Sequence, residues 1–156
     1  MTPTQAFVAA IHAQLTSVLP ALVAAQSLPA ITEFLIYAPA LPQPAKAPQV
    51  WIDVAALSKS SDEKRGSTLQ KFVEERDLLI GVVTAGQDQS QSTDRLRGYA
   101  DLIRKCVEAN RNASGNALWV KWTRTDFSPT FGQGSALYRE AVLSFDAPHQ
   151  VLYGID

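Results

Sequence analysis

The chain has 156 residues, 46% of them hydrophobic and 19% charged, with a formal net charge of −1. That balance excludes a disordered chain and lacks the basic excess of a dedicated nucleic-acid binder. A single cysteine, Cys106, excludes an intramolecular disulfide. A first helix is predicted from about Thr4, with Phe7, Val8, Ile11, Leu15, Val18, Leu19 and Leu22 on one face. Pro20 either ends it at Leu19 or opens a further turn. The run ITEFLIY is a candidate strand, followed by a proline-rich connector over residues 39–49. That connector reads as a plain loop or as a rigid arm packed on a neighbouring subunit. VWIDVAAL is a strand with Val50, Ile52, Val54 and Ala56 on one face. SKSSDEKRGS reads as a polar hairpin tip. One long strand follows, bulged near residues 74–76 and buried through DLLIGVVT.

After the polar loop GQDQSQS, residues 92–111 (STDRLRGYADLIRKCVEANR) form an amphipathic helix. Ser92 or Thr93 can cap it, and Asn112 and Gly115 close it. Leu96, Tyr99, Ala100, Ile103, Cys106 and Val107 recur at three- and four-residue steps and make its apolar face. Beside them runs a ladder of alternating charge: Asp94, Arg97, Asp101, Arg104, Glu108 and Arg111. At 100° per residue the ladder spans about 100° of arc. Its helical pairs would supply about 1–2.5 kcal/mol, less in salt. Either the ladder supports a solvated helix or its alternating signs set register against an adjacent copy. Strand patterns over residues 117–127 and LYREAVLSF, joined by the glycine-bearing loop SPTFGQGS, complete the chain. The expectation is a single α+β domain over residues 1–156. A mixed, mostly antiparallel sheet of about four to five strands packs against two helices, in the order α-β-β-α-β-β.

Nothing in the residue spacing points to catalysis. His12 sits among polar positions of the first helix and reads as exposed; His149 reads as loop or surface. Neither has a metal-ligand neighbour at the required spacing, so no metal and no cofactor is implied. Asp53 could face inward but has no carboxylate partner implied by spacing. Asp62, Glu63, Lys64 and Arg65 read as a solvated charge cluster. Gly132 and Gly134 lack the lysine and strand–loop–helix setting of a phosphate loop. The arginines of the second helix are neutralised by interleaved acids. Strand alternation puts Trp119 and Trp122 on opposite faces, which breaks up a base-stacking platform. Cys106 falls on an apolar face and reads as a buried small hydrophobe. The first fifteen residues lack the basic segment of a secretory signal, and no apolar run is expected to reach membrane-spanning length. The expected compartment is the cytoplasm or a particle assembled there.

The whole-chain order resembles the bacteriophage tail-terminator, or tail-completion, family of lambda-like and Mu-like tails. The resemblance rests on the N-terminal helix, the proline-rich lead into APQVWIDV, a charged loop and ERDLLIGVVTAG. It continues through the charged amphipathic helix to a closing strand pair ending in LYREAVLSFDAP. It implies a structural virion protein without an active site. Such a protein forms a ring, usually hexameric, that caps the tail tube and docks to the head-proximal neck. Its partners would be other copies of itself, the tube protein and the neck or connector protein. DNA would pass through only as cargo, no membrane is involved, and the place of assembly is the host bacterial cytoplasm. No residue-level site follows from the family. The interface residues expected from charge and exposure are Asp62, Glu63, Lys64, Arg65, Arg97, Asp101, Arg104 and Glu108. A head–tail joining protein is the structural alternative; a small non-viral binding domain or enzyme is the other.

Overall fold

A computed structural model describes the whole chain except residues 40–46, 64–68, 87–88, 130, 134–135 and 155–156. Two helices lie on one face of a mixed sheet, giving the α+β class expected. The elements are α1 (Pro3–Ala25), β1 (Glu33–Leu35), β2 (Gln49–Glu63), β3 (Leu69–Gly86) and α2 (Gln89–Glu108). After a 3-10 turn (Ala113–Gly115) come β4 (Lys121–Phe127), β5 (Phe131–Gln133), β6 (Ala136–Asp146) and β7 (His149–Gly154).

Helix α1 begins two residues earlier than expected. Thr2 Oγ1 accepts from the Gln5 backbone N–H at 3.2 Å, and Gln5 Oε1 accepts from the Thr2 N–H at 2.8 Å. This capping box satisfies two otherwise orphan donors, and Pro3 occupies the first turn, where its missing N–H costs nothing. Pro20 neither ends nor restarts the helix; α1 runs through it to Ala25. Phe7, Ile11, Leu15, Leu19 and Val23 form its buried stripe at strict four-residue spacing. With 23 residues and a mean hydropathy of 1.7, α1 is long and apolar enough to cross a membrane by length and composition. That corrects the expectation that no run reaches such a length; here the apolar stripe covers the sheet.

Among the described residues the sheet has seven strands, more than the four to five expected, in the order β1-β2-β3-β6-β4. β5 and β7 add to β6 and β3. β1 is parallel to β2, and every other pair is antiparallel. β3 is central, as the apolar run predicted: Leu78, Ile80 and Val82 face the helices with no exposure. Beside them Val50 and Ile52 of β2 and Ala141, Leu143 and Phe145 of β6 complete the sheet's share of the core.

Four local expectations are corrected. Residues 58–63 are not a hairpin tip but the far half of β2, paired with β3 up to Glu63↔Lys71. The irregularities lie in β2, at Ala55 and Ser60, not in β3 near residues 74–76. Gln89 and Ser90, read as loop, open α2, so Ser92 and Thr93 sit inside the helix rather than capping it. Ser92 Oγ instead lies 3.3 Å from Thr84 Oγ1, and Thr93 Oγ1 accepts from Arg139, which ties the start of α2 to the sheet. Finally, residues 118–120 precede β4, residues 131–133 form β5, and His149 opens a seventh strand that the sequence reading missed.

Opposite the helices a smaller cluster forms around Trp51, Val83 and Tyr138. Trp51 faces Gly81 across the β2–β3 ladder. Its Nε1 donates to Glu140 Oε2 at 3.2 Å, and burial pushes the Glu140 carboxyl above the usual range despite that bond.

Candidate assembly surfaces

The charged flank of α2 is where the sequence placed its main interface. Its apolar face behaves as expected: Leu96, Tyr99, Ala100, Ile103, Cys106 and Val107 are all buried. Tyr99 Oη donates to the Pro29 carbonyl at 2.5 Å, and burial pushes its pKa up to about 12. Gly98 lets Leu28 approach, since a Cβ there would meet Leu28 Cδ1 at 3.1 Å. Burial raises the Cys106 thiol to about 11. A thiol reagent at about pH 8 will therefore leave the native protein unlabelled and react at once in denaturant. Rapid labelling of the folded chain would contradict this placement.

Of the ladder pairs, Arg97 reaches Asp94 at 3.6 Å and Arg104 reaches Glu108 at 3.4 Å. Arg97 and Asp94 are largely exposed, and Asp101 is exposed beside them. Arg104 is different. Its guanidinium stacks over the Trp122 ring at 3.8 Å, joining α2 to β4. It is a packing residue of the fold as well as a charge. Arg104→Glu will therefore lower monomer stability by about 1–2 kcal/mol, through the lost stack and repulsion of Glu108. Asp101→Arg will stay within about 0.5 kcal/mol. Urea melts of the two variants check the contrast; equal midpoints would remove the stacking role.

Asp62 and Glu63 lie in β2, opposite Phe72 and Lys71. Lys64 and Arg65 lie outside the described residues. The acidic pair and the α2 flank belong to separate elements. Trp119 is exposed beside Glu108, Arg111 and Lys121, whereas Trp122 is half-buried under Arg104. They share no stacking platform.

Two features escaped the sequence reading. An open groove of about 840 Å³ runs between the N-terminal half of α1 and strand β1, lined by Val8, Ala9, His12, Phe34, Ile36 and Tyr37 among others. His12, expected to be exposed, is half-buried there, its Nε2 3.4 Å from the Phe34 carbonyl oxygen. The groove had a sequence signal, though not a motif: residues 1–32 contain no Asp, Glu, Lys or Arg. The second feature is where large apolar side chains are exposed. Met1, Ile36 and Tyr37 lie near β1, Leu118 and Trp119 precede β4, and Phe127 ends it; Leu57 of β2 and Leu137 of β6 are exposed as well. Among the described residues β1 and β4 are the two ends of the strand order.

Among the described residues no group of three or more His, Cys, Asp or Glu is placed to hold a metal. Asp53 is exposed, and His149 lies in β7, half-buried, its pKa lowered by burial and by the nearby Arg76 charge. What the fold and its surfaces define is a two-layer α+β protein whose sheet ends, among the described residues, at β1 and β4, with exposed apolar side chains near both. A chain from the virion of a native gene transfer agent particle has a similar fold. The two are 19% identical, the match covers 90% of this chain and 92% of that one, and the TM-score is 0.52. A second solved chain, 17% identical over 85% of this chain and 89% of its own, has a TM-score of 0.39. No family model matches the sequence, and no curated protein matches it.

Proposed function

We propose that this protein is a structural component of a phage-like virion and that it acts in the tail, as a ring that caps the tail tube. The observation that carries the reading is the likeness of fold to a gene transfer agent virion chain over nearly the full length of both. The order of elements, which resembles the tail-terminator family, supports it. In this role geometry replaces chemistry. A closed ring seated on the last tube layer removes the surface on which the next layer would add, and its opposite face receives the neck. The ring is a homo-oligomer, a hexamer by family resemblance, with the tube protein on one side and the neck protein on the other. DNA passes through as cargo. Assembly takes place in the host bacterial cytoplasm, and the finished protein resides in the tail of the virion. The protein performs no catalysis and needs no cofactor.

Mass photometry and negative-stain microscopy of the purified chain test this directly. A ring is expected at micromolar concentration, and a monomer at every concentration would overturn the reading. Adding the protein to polymerising tube protein then fixes the place of the ring. Tubes that stop growing identify a terminator; tubes that continue to grow identify a head–tail joining ring instead.

A further inference from the structure

We propose that the β4 edge of one copy seats in the α1–β1 groove of the next, so that neighbouring copies meet head to tail through the two ends of their sheets. The inference rests on the ring reading above and supplies its interface.

Three observations carry it. The first is register. Phe34 of β1 pairs with Val50, Val50 with Val82, Val82 with Ala141 and Ala141 with Phe127. One row of residues thus crosses the sheet from Phe34, which lines the groove, to Phe127, which is 44% exposed at the other edge. Side chains alternate faces along a strand, and this row faces the helix layer, where the groove opens. Phe127 of one copy therefore stands level with the groove of the next. The second is strand direction. β1 runs with β2, and the successive antiparallel pairs leave β4 opposed to β1. Among the described residues β1 and β4 end the strand order, and β4 placed beside the next copy's β1 pairs antiparallel.

The third is the apolar character of both patches. Across residues 1–39 the only charged side chain is Glu33, which accepts from Gln49 at 2.7 Å. The outer flank of α1 shows Ala9, Ala13, Ser17, Ala21 and Ala24, small enough for close approach of another chain. It lacks the large apolar side chains by which an interfacial helix enters a bilayer. The β4 edge brings apolar Trp119 and Phe127, while its charged Lys121, Arg124 and Asp126 pair with Asp146, Ser144 and Val142, off the face that Phe127 shares with the groove. A groove-to-edge contact uses two different patches, so every copy keeps one of each free. Such heterologous contacts grow until rotation closes them into a ring.

Ala9→Arg blocks the groove and Phe127→Glu blocks the edge. Both sites are exposed, and circular dichroism with thermal melting verifies that each variant folds; Tyr37→Asp and Phe127→Ser serve if either does not. With wild-type rings as reference, each variant alone is expected to be monomeric. Their mixture is expected to form a one-to-one dimer that grows no further, because only one intact groove and one intact edge remain. Rings that persist in both variants would overturn this interface and leave the ring reading standing. Monomers in the mixture would also overturn it, since the patches would not be complementary. A wild-type chain that never assembles overturns both readings. Flotation of the wild-type chain with phosphatidylcholine vesicles would assign the uncharged face to a bilayer and overturn the interface.

Discussion

Gly81→Ala will destabilise the protein by about 2–4 kcal/mol, far more than a typical Gly-to-Ala change in a strand. Gly81 lies at the middle of β3, opposite Trp51. A Cβ built at this position would stand 2.0 Å from Trp51 Cε2 and within 2.3 Å of two further ring atoms. The indole cannot simply swing away, because it is only 6% exposed and its Nε1 is held by Glu140. Moving it breaks a bond to a carboxylate and uncovers Val83 and Tyr138, which share its cluster. Denaturant unfolding should show a lower midpoint with an unchanged slope. The same change in a Trp51→Ala background should be neutral or favourable, since the ring that it strikes is gone. A single-variant loss below about 0.5 kcal/mol would refute the contact.

Arg76→Ala has a comparable effect, about 2–4 kcal/mol. Arg76 is a buried cation, 1% exposed, at the crowded end of the core. Its Nε donates to the Ala147 carbonyl at 2.8 Å and its Nη2 to the Asn116 carbonyl at 2.6 Å. The guanidinium stacks over Phe7 at 4.1 Å. One side chain thus joins β3 to α1, to the corner between β6 and β7, and to the turn after α2. Burial lowers its pKa, partly opposed by the charge of Glu74. Truncation leaves a cavity and two carbonyls without a donor. Arg76→Lys keeps the charge without the planar fork and should recover part of the loss; Arg76→Met restores volume without a donor. Calorimetric melting of the series checks this. An Ala variant as stable as wild type would remove the clamp.

The parts of the fold that were legible in the sequence are those whose side-chain pattern is set by burial on one face. The period of α2 named six of its seven buried apolar residues, missing Leu102, and the nearly continuous apolar run of β3 named the central strand. What stayed hidden is held by backbone pairing instead. Residues 58–63 are polar, yet they continue β2 because β3 supplies a partner for their amides. Strand propensity is weak evidence where a neighbouring strand decides. His149–Gly154 was missed for the same reason: it pairs with Leu69–Glu74, about eighty positions earlier in the chain. For the surfaces, charge made the α2 flank visible, but not the stacking of Arg104 on Trp122, which depends on how α2 lies over β4. The groove was hard to see because its signal is charge left out of residues 1–32, and patterns of spacing register what is present.

The position of β3 also governs the order in which the protein can fold. Its pairing with β2 is local and can close within microseconds once both strands exist. Its other side waits for β6, which begins only at Ala136, after α2 and β4 have been made. A chain emerging from the ribosome therefore holds its most apolar strand half-covered while much of its length is synthesised. During that interval α2 is the element at hand to shield it. The return of β6 is a non-local pairing and is expected to close the sheet late.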